Sequence, residues 1–501
     1  MEALHSLIYG FGIVLQPENI LFCFLGVFMG TLVGVLPGLG SAAAISLLLP
    51  TLFHVPGVSA MIMLAGICYG AMYGGSTTSI LVNIPGEVAS VVTCLDGYQM
   101  AKQGRAGAAL GIAAFGSFIA GTFGLIGLML FAPTLASFAL RFGPPEYFAM
   151  AFMSFTLVTY VSKGSLIRSL IMGCVGLIMS TVGMDPITST GRFTFGLPAL
   201  LDGFEIVYVA MGLFGLSEVL LNLGESMNKE ILQTDIKHLL PNRRDWRDSA
   251  RPIARGTVLG FFLGILPGFG SAITTFLSYA MERKLSRHPE KFGKGAIEGV
   301  AGPEAANNAA SSGTFIPLLS LGIPVNVSSS ILLGSLMILG FQPGPLLISN
   351  RPDLFWGLIA SMYLGNVLLL VLNLPLIGLW VQLLKVPYSI LGVLIVLFCQ
   401  IGAYSVNSST EGVLFMNIFG LMGYLMKRYK FEAAPLILAL VLGPMLENSL
   451  RRSLMMSEGS LGIFFTRPIS LVFILISLAF LISPLFTRER IGKVAIETTE
   501  E

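Results

Sequence analysis

Long stretches of the chain carry no charge. Residues 19–86 lack Asp, Glu, Lys and Arg over 68 positions, and 106–140, 256–281, 305–350, 354–384 and 386–410 are further uncharged runs. A spanning helix needs about 20 mainly apolar residues, so these runs predict ten or more crossings. The short alternating segments of an outer-membrane barrel are absent from the pattern. The fold class expected is an all-α polytopic membrane protein. Crossings are placed near 106–131, 146–161, 166–184 and 205–222, and again near 313–348, 354–376, 388–404, 411–426, 433–447 and 461–485.

Two polar interruptions divide this pattern. Residues 225–255 hold seven basic and five acidic side chains, and 282–299 hold five basic ones. Short Lys/Arg-rich loops stay on the cytoplasmic side, which places both inside, together with Lys102/Arg105, Lys163/Arg168, Lys427/Arg428/Lys430 and the tail from Arg488. The expected organisation is a first transmembrane repeat over 1–224, a cytoplasmic linker over 225–255, a second repeat plus final helix over 256–487, and a cytoplasmic tail over 488–501. This topology leaves Arg451/Arg452 outside or in the protein interior, where they are the one basic pair available to a multi-anionic substrate.

An internal repeat supports the division. GVLPGLGSA at 34–42 returns as GILPGFGSA at 264–272, with seven of nine positions identical. NIPGEVAS at 83–90 is echoed by GIPVNVSS at 322–329, after a gap nine residues longer in the second half. Copy two is flanked by basic residues on both sides, as a re-entrant hairpin descending from the cytoplasm requires. Copy one has no Lys or Arg near it until Lys102, as for a hairpin from the outer face. The halves are therefore expected to be inverted-topology repeats, each with a re-entrant Gly/Pro hairpin and a broken helix.

The hairpin tips carry candidate chemistry. Proline lacks an N–H and glycine admits positive φ, so PGLG at 37–40 and PGFG at 267–270 break the helical ladder. The freed carbonyl oxygens near Gly38 and Gly268 suit a small hard cation such as Na+. The helices restarting at Ser41 and Ser271 point N–H groups at the same cavity and suit a carboxylate. Candidate binding residues here are Pro37, Gly38, Gly40 and Ser41, with Pro267, Gly268, Gly270 and Ser271. A second group lies in YGGSTTS and the following NIPGE (Ser76, Thr77, Thr78, Asn83), and in its counterpart (Asn307, Asn308, Ser311, Ser312, Thr314, Asn326). Hydroxyls in such helices often bond back to their own backbone, whereas buried amides need partners. Among the acidic residues near membrane depth, Glu87 and Glu304 adjoin these motifs; Glu205, Glu218 and Glu447 sit near segment ends.

Composition narrows the function. Only 11% of residues are charged against about 25% in soluble domains, and a net charge of +2 with no basic stripe offers nothing to nucleic acid. The five cysteines form no CxxC pair and read as small core residues. The N-terminal segment has no basic n-region and is expected to be retained. The four histidines are dispersed, His54 being the single plausible base for a serine nucleophile, and no HExxH, GxGD or Walker sequence occurs. The chain is not expected to be an enzyme. A stand-alone carrier and a passive channel remain open on these residues.

At GVLPGLGSA, YGGSTTSILVNIPGE, GILPGFGSA, KFGKGAIEGVAGPEAANNAASSGTFIPLLSLGIP and FQPGP, the sequence resembles the large membrane subunit of tripartite tricarboxylate transporters, the TctA family. The similarity runs from about residue 20 to RPIS at 467–470. The resemblance implies a permease of the bacterial inner membrane that works with a small four-helix membrane subunit and a periplasmic solute-binding protein. It further implies citrate-like or other carboxylate substrates, coupling to sodium or protons with sodium favoured, no cofactor, and an elevator-type mechanism by analogy.

Overall fold

The computed structural model describes residues 2–36, 39–53, 55–161, 165–185, 187–222, 239–384, 386 and 388–486. The tip residues Pro37 and Gly38, with the Na+ position expected beside them, lie outside the described residues, as do 225–238 of the linker and the tail 488–501.

Helices follow one another with short connections. The first part runs α1 (Glu2–Val14), α2 (Pro17–Val35), α3 (Gly40–Leu48), α4 (Gly57–Val82), α5 (Val91–Lys102) and α6 (Ala106–Ala139). Then come α7 (Pro144–Val161), α8 (Leu166–Ser180), a two-stranded antiparallel ribbon pairing Gly183–Met184 with Gly191–Arg192, α9 (Ile206–Ala210), a π turn over Met211–Leu216, and α10 (Ser217–Asn222). The second part runs α11 (Arg243–Ile265), α12 (Gly270–Leu285), α13 (Glu298–Leu321), α14 (Val327–Ile338), α15 (Leu347–Asn350), α16 (Pro352–Asn373), α17 (Ile377–Leu383), α18 (Tyr388–Asn407) and α19 (Thr410–Arg428). The last helices are α20 (Ala434–Met456), α21 (Ile463–Thr466) and α22 (Pro468–Phe486).

Among the described residues, five helices are long and apolar enough to cross a membrane: α2, α4, α6, α16 and residues 390–407 of α18. This is fewer than the ten or more that the uncharged runs predict. Glycine and proline cut several runs into helices of 10–17 residues, such as Gly40–Leu52 and Val327–Ile338. The single crossing expected over 313–348 is divided the same way, by Gly322–Asn326. Residues 243–255, expected as linker, form the start of α11, because the Asn242 side chain accepts from the N–H groups of Arg244 and Asp245 (both 2.9 Å) and closes a capping box.

The chain forms two compact units, Met1–Leu140 with Glu205–Met426, and Arg141–Phe204 with Lys427–Glu501. In the first unit α2 packs along α4 and α11 along α13, while α6 lies on α13 and α16 on α4. Glycine permits both central pairings. A Cβ at Gly26, Gly30 or Gly34 would collide with the carbonyl oxygens of Met63, Ile67 and Ala71, and one at Gly256, Gly260 or Gly264 with those of Gly302, Ala306 and Ala310. Each glycine is one helical turn from the next, so each pair of backbones touches along a continuous line. The facing helices α4 and α13 follow the same rule: Gly74 faces the carbonyl of Thr31, and Gly313 that of Phe261.

Ion pairs fasten the edges of this unit. Glu282, 1% exposed, ties α12 to α11 through Arg255, whose Nε lies 2.8 Å from Oε1. Asp96 of α5 is fully buried and accepts from the Tyr279 hydroxyl (2.9 Å) and from the N–H groups of Gly295 (2.7 Å) and Ala296 (2.8 Å), which fixes the approach to α13.

In the second unit α20 packs on α7 and α8, and α22 on α7. Arg467 bonds Glu146 at 2.5 Å. Arg451 is turned inward onto Asp185, 3.0 Å from each carboxylate oxygen, and onto Glu447 at 3.2 Å, while Arg192 bridges Glu447 (2.5 Å) and Asp185 (3.7 Å). Arg451 is therefore engaged inside its own unit, and Arg452 is exposed. The Asp185 carboxyl is held down at about 2, foremost by the N–H of Ile187 (2.8 Å) and then by Arg451 and the N–H of Thr188, against the opposing effect of burial. A depressed carboxylate contributes stability above its unfolded pKa of about 3.9 and loses it as pH falls through the folded value. Melting of wild type and Asp185→Asn should therefore differ at neutral pH, with the variant lower, and converge between pH 4 and 2.

Candidate functional site

The two hairpins have the same local backbone. Leu36 and Leu266 end α2 and α11 in extended conformation (φ −81°, ψ 117° and φ −84°, ψ 123°), and Gly40 and Gly270 open the return helices at positive φ, +61° and +40°. The broken helices match as well: Asn83 and Gly322 close α4 and α13 in the left-handed region (φ 57° and 69°). Glu87 then forms a capping box with Ser90, and Asn326 forms one with Ser329. A Cβ on Gly40 would sit 3.9 Å from that of Glu87, and a Cβ on Gly270 4.0 Å from that of Asn326. Each tip thus faces the cap of its own broken helix, and each also reaches the other repeat, α3 against α14 and α12 against residues 88–90.

The two tips differ in chemistry. Ser41 hydrogen-bonds Ser328 through their hydroxyls (2.8 Å), and its hydroxyl and N–H also face the Glu87 carboxylate. Ser271 stands opposite the neutral Asn326 cap, 7% exposed, and its Oγ has no partner. Gly268 donates to the carbonyl of Val325 (3.0 Å), Pro267 is buried, and Asn83 is exposed at its helix end.

A second polar cluster lies between α4, α5, α6, α13 and α16. Glu304, 1% exposed, accepts from Ser76 (2.7 Å) and Thr93, and Ser117 faces it. Asn308 donates to Ser117 (2.7 Å) and to the Glu304 carbonyl (3.1 Å). Tyr73 donates to Asn366 (2.8 Å), which in turn donates to Phe118 O (2.9 Å) and Thr122 (3.0 Å). Among the described residues no Lys, Arg or His nitrogen approaches Glu304 within 4 Å. Asn307, 1% exposed, leaves both its side-chain atoms unpaired.

The expected site residues thus divide. Gly40, Ser41, Gly268, Gly270, Ser271 and Asn326 lie at the tips, Ser76 and Asn308 in the Glu304 cluster and Thr77 on a cavity wall beside it, while Asn307 stands unpaired. Thr78 instead bonds Val35 O (2.8 Å) at the end of α2, Ser311 bonds Asn307 O (3.0 Å) and Met72 Sδ (3.3 Å), Ser312 bonds Asn308 O (3.3 Å), and Thr314 bonds Ser311 O (2.7 Å). The Ser312 and Thr314 hydroxyls bond back to the helix that carries them, while those of Thr78 and Ser311 also reach a neighbouring helix. Thr93, Ser117, Asn366 and Asn373 escaped sequence reasoning. The two asparagines carry a usable signal, a lone amide in an apolar helix, but Thr93 and Ser117 carry none.

Residues 20–438 match the family described as "Tripartite tricarboxylate transporter TctA family". Two relatives come from Agrobacterium vitis. The "Uncharacterized 52.8 kDa protein in TAR-I ttuC' 3'region" is 48% identical over 499 residues, 99% of each chain. The "Uncharacterized protein in TAR-II ttuC' 3'region" is 50% identical over 211 residues, 42% of this chain and 87% of the relative. No solved structure matches.

Proposed function

This chain belongs to the tripartite tricarboxylate transporter TctA family, and from that premise we propose that it is the large permease subunit of a binding-protein-dependent secondary transporter. Its substrates are tricarboxylates or other carboxylates, and import is driven by a cation gradient, Na+ ahead of H+. The observation that carries this reading is the meeting of two like hairpin tips with two capped broken helices, one tip already facing a carboxylate and the other not. Glu87 supplies negative charge at the Ser41 tip, which favours a cation there. The free Ser271 hydroxyl and the α12 N-terminus face a neutral cap, which favours a substrate carboxylate. The repeats are read as inverted, on the charge flanking each hairpin, and the motion as an elevator, by analogy with related transporters.

Voltage favours coupled import over a pore. A dianion entering an inside-negative cell loses about 4.6 kcal/mol per 100 mV, and two co-transported monovalent cations cancel that. The described outward-assigned connections are short, so capture of a dilute substrate is assigned to a periplasmic solute-binding protein in the bacterial envelope, with a small membrane subunit completing the permease. The test is uptake of labelled citrate into proteoliposomes holding both membrane subunits, with sodium and pH gradients imposed separately. Gradient-driven uptake is expected only when the binding protein is present outside. Saturable uptake without it would leave a stand-alone carrier, and gradient-independent flux would leave a channel.

A further inference from the structure

Beside the Glu304 cluster lies a cavity of ≈ 10 Å³, lined by Tyr73, Ser76, Thr77, Ser117 and Asn373 among small apolar residues of α6. It has room for about one water-sized occupant. Most of the protons of its walls are turned elsewhere. Ser76 donates to Glu304 and Ser117 faces the same carboxylate, Tyr73 donates to Asn366, and the Asn373 amide N–H goes to Leu369 O (2.9 Å), which leaves the Thr77 hydroxyl with no hydrogen bond among the described residues. Asn373, 4% exposed, leaves Oδ1 with no partner. The wall therefore offers oxygen lone pairs, and one hydroxyl away stands a buried carboxylate with no basic side chain within 4 Å among the described residues. A buried carboxylate must be balanced by a proton or by a cation.

We propose that this cavity is a site for one dehydrated Na+ ion, held by oxygens of Tyr73, Ser76, Thr77, Ser117 and Asn373 and balanced by Glu304 through the two serine hydroxyls. One carboxylate matches one positive charge. Divalent ions prefer carboxylates in direct coordination, and no carboxylate lines this cavity. The site is separate from any ion at the hairpin tips, and only its role in coupling rests on the transporter reading.

The test is equilibrium binding of radioactive Na+ to the full-length chain in nanodiscs, with K+ as competitor, alongside melting in NaCl against KCl. Wild type should bind Na+ and melt higher in NaCl. Thr77→Val and Asn373→Leu, which keep volume and remove an oxygen, should raise the half-saturating Na+ concentration at least about tenfold, a cost of about 1.4 kcal/mol. Thr77→Ser should retain wild-type binding and guards against a merely structural effect. Wild-type Na+ binding in well-folded Thr77→Val and Asn373→Leu overturns the proposal, as does a wild type that binds no Na+, the result a buried water would give. Loss of one bound Na+ per chain in the variants, with no gradient-driven uptake by wild type, would remove the transporter reading and keep the site.

Discussion

Gly30→Leu and Gly260→Leu should each abolish recovery of folded protein. Both glycines lie where one helix backbone rests directly on another, and an added side chain would have to displace the carbonyl of Ile67 or of Ala306. Overpacking ordinary cores costs about 1–3 kcal/mol, occasionally more. Here the obstacle is backbone on both sides, so relief requires parting two helices along three successive turns. The milder Gly30→Ala and Gly260→Ala should lower the melting temperature by similar amounts, because the two repeats make the same contact at the same place. Gly12→Ala is the control: a Cβ there meets nothing within 4 Å, and a small gain in helix propensity is expected. Size-exclusion profiles and melting curves in detergent would check all five variants. Folded, wild-type-like Gly260→Leu protein would show that the α11–α13 contact is dispensable.

The hairpins were legible in the sequence because proline and glycine recur in register, and they recur because the backbone needs them: an extended residue at Leu36 and Leu266, positive φ at Gly40 and Gly270. The broken helices were legible for the same reason. The lengths of the individual helices were not. Lack of charge marks what is hidden from water, and a half-length hairpin arm is hidden as well as a span. The Glu304 cluster was half legible. Ser76 and Asn308 announced themselves within motifs, whereas Thr93 and Ser117 reach Glu304 from distant parts of the chain and look like any hydroxyl in a small-residue helix. In the sequence Arg451 is a charge out of place, and in the structure Asp185 and Glu447 lie against it. The joining of α7 and α8 with α20 and α22 in one unit left no mark on local pattern, because it is a matter of tertiary pairing alone.

The difference between the two tips gives the transport reading its direction. If both hairpins opened to one face, Ser41 and Ser271 would serve a single vestibule and could not alternate. Opposed hairpins place one tip on each route to a shared site, which is what alternating access requires. The reading therefore depends on the orientation of two loops, and the flanking charge assigns that orientation oppositely to each.

The measurement that tests this most directly is sided labelling of one cysteine beyond each return helix. Thr51, after α3, and His288, after α12, are both exposed. The background needs only Cys94→Ala and Cys174→Ala, since Cys23, Cys68 and Cys399 are buried. With a membrane-impermeant maleimide, Thr51→Cys should label in intact spheroplasts and not in inside-out vesicles. His288→Cys should label in inside-out vesicles and not in spheroplasts. Labelling of both positions from the same side would contradict the inverted arrangement and, with it, the assignment of the paired tips as a transport site.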